Sequence, residues 1–295
     1  MKRRIIALIL SLALILLLCA CTKDESASFK VTFIDVGQGD AALVECDGEY
    51  MLIDAGPNNK TSGEKIRRIL LEQNIYSLKY LVISHLHDDH YGGIIHDALK
   101  NVTVERILCN EDPYKKGSLG DHLKGCQFSV PTVGDSAYKL GSATINIIDV
   151  SSAQGNDSLV LMLQYGKTNF LFTGDIEKQA HSRVAEELRK ISDILESGDT
   201  LIKMPHHGAY NSDPFLPDSA WDNSLGTLIS ASYAKYFVIS VGKNNSFGHP
   251  HQKTLDIIEQ ALEANNLDKN SHFFRTDEHG DVVFTSNGKN IIPQN

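Results

Sequence analysis

The sequence predicts one domain of α+β or four-layer type, with two sheets packed together and helices outside. Three observations predict it. Short β-rich runs separated by turn residues occur in both halves of the chain, and helical spacing interrupts them between and after. No Pro- or Gly-rich linker divides the chain, and no repeat at a solenoid period is present. The domain is expected over residues 29–295.

The elements follow in order. Phe29 to Val36 is β-rich and ends in Gly37-Gln38-Gly39-Asp40. Ala41 to Glu45 and Tyr50 to Ile53 read as strands joined by a turn at Asp47-Gly48. Ser62 to Gln73 has helical spacing, with Ile66, Ile69 and Leu70 on one side. Tyr80 to Ile83 is a short apolar strand, and Val104 to Leu108 and Ala143 to Val150 are two more. Leu159 to Gln164 and Asn169 to Phe172 form a hairpin, and Ile176 to Leu195 is helix-prone. Leu201 to Met204 and Tyr236 to Val241 are strands, and Thr254 to Ala264 is a helix with Pro250 in its first turn. His272 to Arg275 and Asp281 to Thr285 make a terminal hairpin around Asp277-Glu278-His279-Gly280.

The N-terminus carries Lys2, Arg3 and Arg4, an apolar run from Ile5 to Leu18, and then Cys19-Ala20-Cys21. The run is shorter than the roughly 20 residues that a spanning helix needs. It resembles a bacterial lipoprotein signal, in which residues 1–20 are removed and Cys21 becomes the lipidated first residue. An uncleaved N-terminal anchor is the alternative. Both place the rest of the chain on the extracellular face of the cell membrane, with residues 21–28 as a polar tether. Cys46, Cys109 and Cys126 make no disulfide framework and lack zinc-finger spacing, although Cys109 and Cys126 could pair.

The chain has 28 Lys and Arg against 37 Asp and Glu, a net charge of −9. A protein that holds nucleic acid mainly through phosphates needs a basic surface. No Lys/Arg-rich run follows residue 30, and Lys65, Arg67 and Arg68 read as the solvated face of a helix.

The chemistry concentrates in His85-Leu86-His87-Asp88-Asp89-His90, directly after an apolar strand and before Gly92-Gly93. Two histidines at i and i+2 in extended chain point the same way and can share one ion. Asp89 and His90 fall where the chain turns and can reach a second ion. A His-rich surface turn that binds nothing is the plain alternative.

This cluster resembles the HxHxDH signature of the metallo-β-lactamase superfamily. Asp35-Val36-Gly37-Gln38-Gly39-Asp40, Leu52-Ile53-Asp54-Ala55-Gly56, Phe172-Thr173-Gly174-Asp175, Met204-Pro205-His206-His207-Gly208 and Gly248-His249-Pro250 follow in order. Together they are similar to the hydrolase domain of ComEC-type competence proteins, and teichoic acid phosphorylcholine esterases share much of the pattern. The resemblance implies a four-layer αββα sandwich with metals at one edge of the two sheets. It implies His85 and His87 on the first metal, Asp89 and His90 on the second, and Asp175 bridging both. It favours His207 as a further ligand and His206 as the contact to the oxyanion. Asn156 stands where many members carry a third histidine for the first metal, so that site is completed by Asn156 or water. His249 reads equally as a substrate contact or a loop histidine. Asp40 and Asp54 read equally as supports for ligand histidines or as turn residues.

Two divalent ions about 3.5–4 Å apart can share a water and make it hydroxide near neutral pH. Asp89 belongs to that catalytic apparatus and His206 would stabilise developing charge. The ligands favour Zn²⁺ and also accommodate Mn²⁺ or Fe²⁺. The expected function is a phosphodiesterase acting on nucleic acid or a cell-envelope phosphodiester. The alternatives are a hydrolase of carboxylic esters, thioesters or lactams, and a non-catalytic metal-stabilised binding module. No protein partner is expected, and the membrane is met only through the lipid anchor.

Overall fold

The computed structural model describes residues 29–135, 137–151, 156–210 and 223–294. The leader, the tether and Cys21 lie outside them. None of the described helices is long and apolar enough to cross a membrane.

In chain order the first strands are β1 (Phe29–Phe33), β2 (Ala42–Cys46), β3 (Glu49–Ile53), β4 (Ser77–Ile83), β5 (Thr103–Cys109) and β6 (Gln127–Ser129). Then come β7 (Tyr138–Leu140), β8 (Ala143–Val150), β9 (Leu159–Tyr165), β10 (Thr168–Phe172), β11 (Thr200–Lys203) and β12 (Ala234–Ile239). Last are β13 (Phe273–Arg275), β14 (Val282–Ser286) and β15 (Ile291–Pro293). They form an eight-stranded sheet in the order β15-β14-β1-β2-β3-β4-β5-β6 and a seven-stranded sheet in the order β13-β12-β11-β10-β9-β8-β7.

Period-two alternation sets which face each residue takes. Phe29, Val31 and Phe33 of β1 enter the core between the sheets, while Lys30 points outward to Glu45 at 2.9 Å. Phe29 meets Phe170 at 4.7 Å between ring centroids, and Phe33 meets Phe172 at 5.7 Å, so aromatic pairs tie sheet to sheet. Each such buried ring contributes about 1.5–3 kcal/mol. The β2–β3 hairpin turns at Asp47 (φ 52°) and Gly48 (φ 81°), the left-handed pair that a two-residue hairpin loop needs.

Helices cover both outer faces. Helix α1 (Lys60–Glu72) starts at Asn59, whose side chain accepts from the Ser62 N–H, and buries Ile66, Ile69 and Leu70 against the first sheet. On the second sheet, Val184 and Leu188, Leu228, and Ile258 and Leu262 come from three different helices and pack over Leu171 and Ile202. The architecture is therefore the expected four-layer αββα sandwich.

Four local expectations fail. The terminal segments are not a hairpin: β13 pairs in parallel with β12, whereas β14 pairs with β1 in the other sheet. Alternation cannot distinguish pairing with the neighbour in sequence from pairing with a distant strand. Pro250 precedes the helix Gln252–Ala264, which begins after His251 as its cap. The stretch 176–195 breaks at residues 190–191 into helices Lys178–Arg189 and Ser192–Glu196. Cys46, Cys109 and Cys126 are free thiols, so Cys109 and Cys126 do not pair.

Candidate metal centre

The site gathers at the carboxyl ends of strands from both sheets. β3 delivers Asp54, β4 delivers Ser84 and His85, β10 delivers Asp175, and β11 leads into His206 and His207. Parallel neighbours place these ends along one edge.

After β4 the chain stays extended through His87 (φ −98°, ψ 148°) and then enters helix α2 (Asp88–Ile95). His85 Nε2 and His87 Nδ1 consequently face each other at 3.0 Å. Asp89 and His90 occupy the first turn of α2. Gly92 and Gly93 let this helix lie on the 54–58 loop. A Cβ at Gly92 would stand 2.1 Å from Asn58 N, and one at Gly93 2.1 Å from Ala55 O. Residues 206 and 207 both adopt left-handed backbone, with φ of 50° and 53°. Consecutive left-handed non-glycine residues are costly and mark functional segments. Here they turn two adjacent imidazoles to different positions.

Ligand atoms of Asp89, His90, Asp175 and His207 all lie within 4.8 Å of one another. His207 Nε2 is 3.2 Å from Asp89 Oδ2 and 3.4 Å from Asp175 Oδ2, and His90 Nε2 is 3.2 Å from Asp175 Oδ2. The opposite ring nitrogens are occupied. His90 Nδ1 donates to Asp54 Oδ2 at 2.9 Å, and His207 Nδ1 donates to the Ser240 carbonyl at 2.9 Å. These partners fix the tautomers and leave both Nε2 atoms facing the cluster. His90 Nε2 and Asp175 Oδ1 are buried without a hydrogen-bond partner, a costly state that a divalent cation would relieve. The donor set therefore fits the metal that the resemblance implies.

His85 and His87 form a two-residue site. Among the described residues no third His, Cys, Asp or Glu joins them at the spacing of the other cluster. Asn156, expected on this metal, instead donates to Glu177 Oε1, and Glu177 lies 3.5 Å from His206 Nδ1. Burial, followed by the His90 charge, pushes His85 down to about 2, so its ring is neutral and available as a ligand.

Asp54 accepts from the Ser84 N–H and Ser84 hydroxyl, each at 2.8 Å, besides His90. It thus braces the His90 ring while its own backbone is left-handed, at φ 56°. Asp40 Oδ1 stands 3.2 Å from His207 Nδ1, and its other oxygen accepts from the Lys203 ammonium. Burial opposes ionisation of Asp40, but Lys203 and His207 outweigh it and lower its pKa. Burial likewise opposes charge on His90 and His207, yet Asp175 and the acids behind each ring raise both well above the ordinary histidine value. His206 sits 3.7 Å from Asp175 Oδ2, and burial lowers its pKa. His249 lies beside the paired histidines, its ring 5.7 Å from His206 and 6.4 Å from His207. Its backbone is held by Asn245, as the loop-histidine reading expects.

Sequence reasoning missed Lys203, Ser84, Ser158 and Glu177. Ser158 receives the Asp175 N–H at 3.0 Å and lies 3.3 Å from His85 Nδ1. Lys203 carried a legible signal, a lone charge inside an apolar strand directly before the paired histidines.

An αββα sandwich with a His/Asp cluster at one edge of its sheets defines a class of metal-binding protein. A family model, the metallo-beta-lactamase superfamily, matches residues 34–242. The chain belongs to that superfamily. It is 24% identical over 295 residues to ComE operon protein 3 of Bacillus subtilis, covering 92% of this chain and 34% of the relative. It is 26% identical over 246 residues to recombination protein 2 of Haemophilus influenzae, covering 80% and 27%. The chain thus spans about a third of these relatives' length, and the match places it with the ComEC-type branch. Among solved structures, a CmlA beta-hydroxylase mutant superposes with a TM-score of 0.55 at 12% identity, over 88% of this chain and 54% of that one. Igni18, described as a metallo hydrolase from Ignicoccus hospitalis, gives 0.51 at 17%, over 87% and 99%. A hydroxylase and a hydrolase share the fold, so the site must carry the functional reading.

Proposed function

We propose that the protein is a metal-dependent phosphodiesterase of the ComEC-type branch. The carrying observation is the convergence of Asp89, His90, Asp175 and His207, with buried donor atoms left for a cation. In this reading His85 and His87 hold one ion, Asp89, His90 and His207 hold the other, and Asp175 joins them. Two divalent ions, Zn²⁺ or Mn²⁺, would supply Lewis acidity and an acidified water.

The chain's own groups prepare the site. Asp54 and the Ser240 carbonyl take the Nδ1 protons of His90 and His207 and so keep Nε2 of each aimed inward. His206, the more exposed of the paired histidines, meets charge developing on the substrate. A phosphodiester is favoured over a carboxylic ester, thioester or lactam by the shared motif order and by relatives named for a com operon and for recombination.

The test is turnover of bis-p-nitrophenyl phosphate, a phosphorylcholine ester, nitrocefin and single-stranded DNA, with and without Zn²⁺ or Mn²⁺. Metal-dependent diester cleavage supports the reading, and turnover of nitrocefin alone overturns it. The same reading places the enzyme on the extracellular face of the membrane through lipidated Cys21. Cys21→Ser should release it into the soluble fraction, and unchanged membrane association would refute the anchor.

A further inference from the structure

The site leaves one aromatic side chain unexplained. Phe247 is 68% exposed, more than any other large hydrophobic among the described residues. A lone surface phenylalanine is ordinary, but this one is pinned. Asn245 Oδ1 accepts from the backbone N–H of Phe247 and of His249, both at 3.1 Å. Asn245 Nδ2 donates to the carbonyls of Gly242 at 3.0 Å and His249 at 2.6 Å. The Gly242 N–H donates to Gln38 Oε1 at 3.1 Å, which anchors the loop to the segment after β1. One side chain therefore sets the shape of residues 242–249.

That shape lays Phe247 on His249, with ring centroids 5.8 Å apart and planes 29° from parallel. His249 in turn stacks toward His207 at 26°. Phe247 stands two rings from the cluster imidazole of His207 and keeps most of its surface open. The same loop walls a cleft of ≈ 580 Å³ that Lys243 lines together with Arg275, which is ion-paired to Asp277 and Glu278 on the same wall, a volume in the range of small-molecule sites.

We propose that Phe247 is a stacking platform for the nucleobase beside the scissile bond of a single-stranded nucleic acid. This rests on the phosphodiesterase reading. A base offers a flat π-face to an open ring, and a polyol diester offers none. A quaternary ammonium headgroup wants a cage of several rings, whereas this loop presents one. Stacking is tolerant of sequence and draws its energy from the ring rather than from cations. That suits a chain with 37 acidic against 28 basic residues, which cannot build its affinity on phosphate contacts alone. Exposed Lys243 on the same loop remains for a flanking phosphate.

The test uses the metal-loaded protein with an oligothymidylate strand and a matched strand carrying abasic residues. Binding is read by fluorescence anisotropy and cleavage by KM. The wild type should prefer the base-bearing strand by about 10-fold. Phe247→Ala should abolish the preference, and Phe247→Trp should keep it. Cleavage of both strands at equal KM overturns the platform and leaves the phosphodiesterase reading standing. Base-dependent binding that Phe247→Ala abolishes, with neither strand cut, upholds the platform and overturns the phosphodiesterase reading. A Phe247 effect confined to a phosphorylcholine ester overturns the base assignment.

Discussion

Lys203 donates through its ammonium to the carboxylate of Asp40, and both groups are buried beneath the metal-facing histidines. The pair crosses between the sheets, since Asp40 lies two residues before β2 and Lys203 ends β11. Lys203 also donates to the Gly174 carbonyl at 3.2 Å and lies 3.9 Å from Asp175 Oδ1. Burial disfavours its charge, yet Asp40 and Asp175 more than compensate and raise its pKa.

Removing one partner of such a pair strands a buried charge. Lys203→Met should cost about 3–5 kcal/mol in stability, measured by urea unfolding. Lys203→Met combined with Asp40→Leu should recover most of that loss, because an apolar pair carries no uncompensated charge. A double-variant cost equal to the sum of the two single-variant costs would show that the pair is not coupled.

Asp54 holds the proton on His90 Nδ1. Asp54→Ala should weaken metal affinity by about 10–100-fold while leaving the ligands in place. Competition titration with a chromophoric chelator reads this directly. Unchanged affinity would return Asp54 to turn chemistry.

The paired histidines should separate in their effects. His207→Ala should lose metal and diester turnover together, because its Nε2 faces Asp89 and Asp175. His206→Ala should keep metal and lose rate by about 100-fold or more. Elemental analysis alongside kinetics distinguishes them, and full metal with full activity in both variants would defeat the assignment.

Protonation gives the metal-free protein a stability optimum near pH 6.5, the ordinary histidine value. Below it, His85, His206 and His249 resist charging in the folded state, since their pKa values are lowered, with His249 at about 4. The unfolded chain then takes up more protons, and stability falls. Above it, His90 and His207 have raised values, so their contribution fades as pH climbs through them. Metal competes with protons for the ligand nitrogens, so added Zn²⁺ should stabilise more as pH rises. Urea midpoints from pH 5 to 9, with chelator and with Zn²⁺, test both slopes.

The sequence by itself determined the layers and most of the residues that gather in the candidate cluster. Alternation in segments such as Phe29–Phe33 and helical spacing at Ile66, Ile69 and Leu70 are local consequences of backbone geometry, and they are legible without neighbours. His85, His87, Asp89 and His90 were legible because one turn of chain brings them together, and Asp175, His206 and His207 because their motifs follow in the family's order. Only the tertiary structure decided which strand β13 joins, that Asn156 turns to Glu177, and that Lys203 meets Asp40 across 163 positions. It also brought His207 rather than His206 into the cluster with Asp89, His90 and Asp175, since the Ser240 carbonyl, 33 residues from His207, occupies Nδ1 and aims Nε2 inward. Such contacts form where the two sheets pack, between groups whose separation along the chain carries no periodic signal.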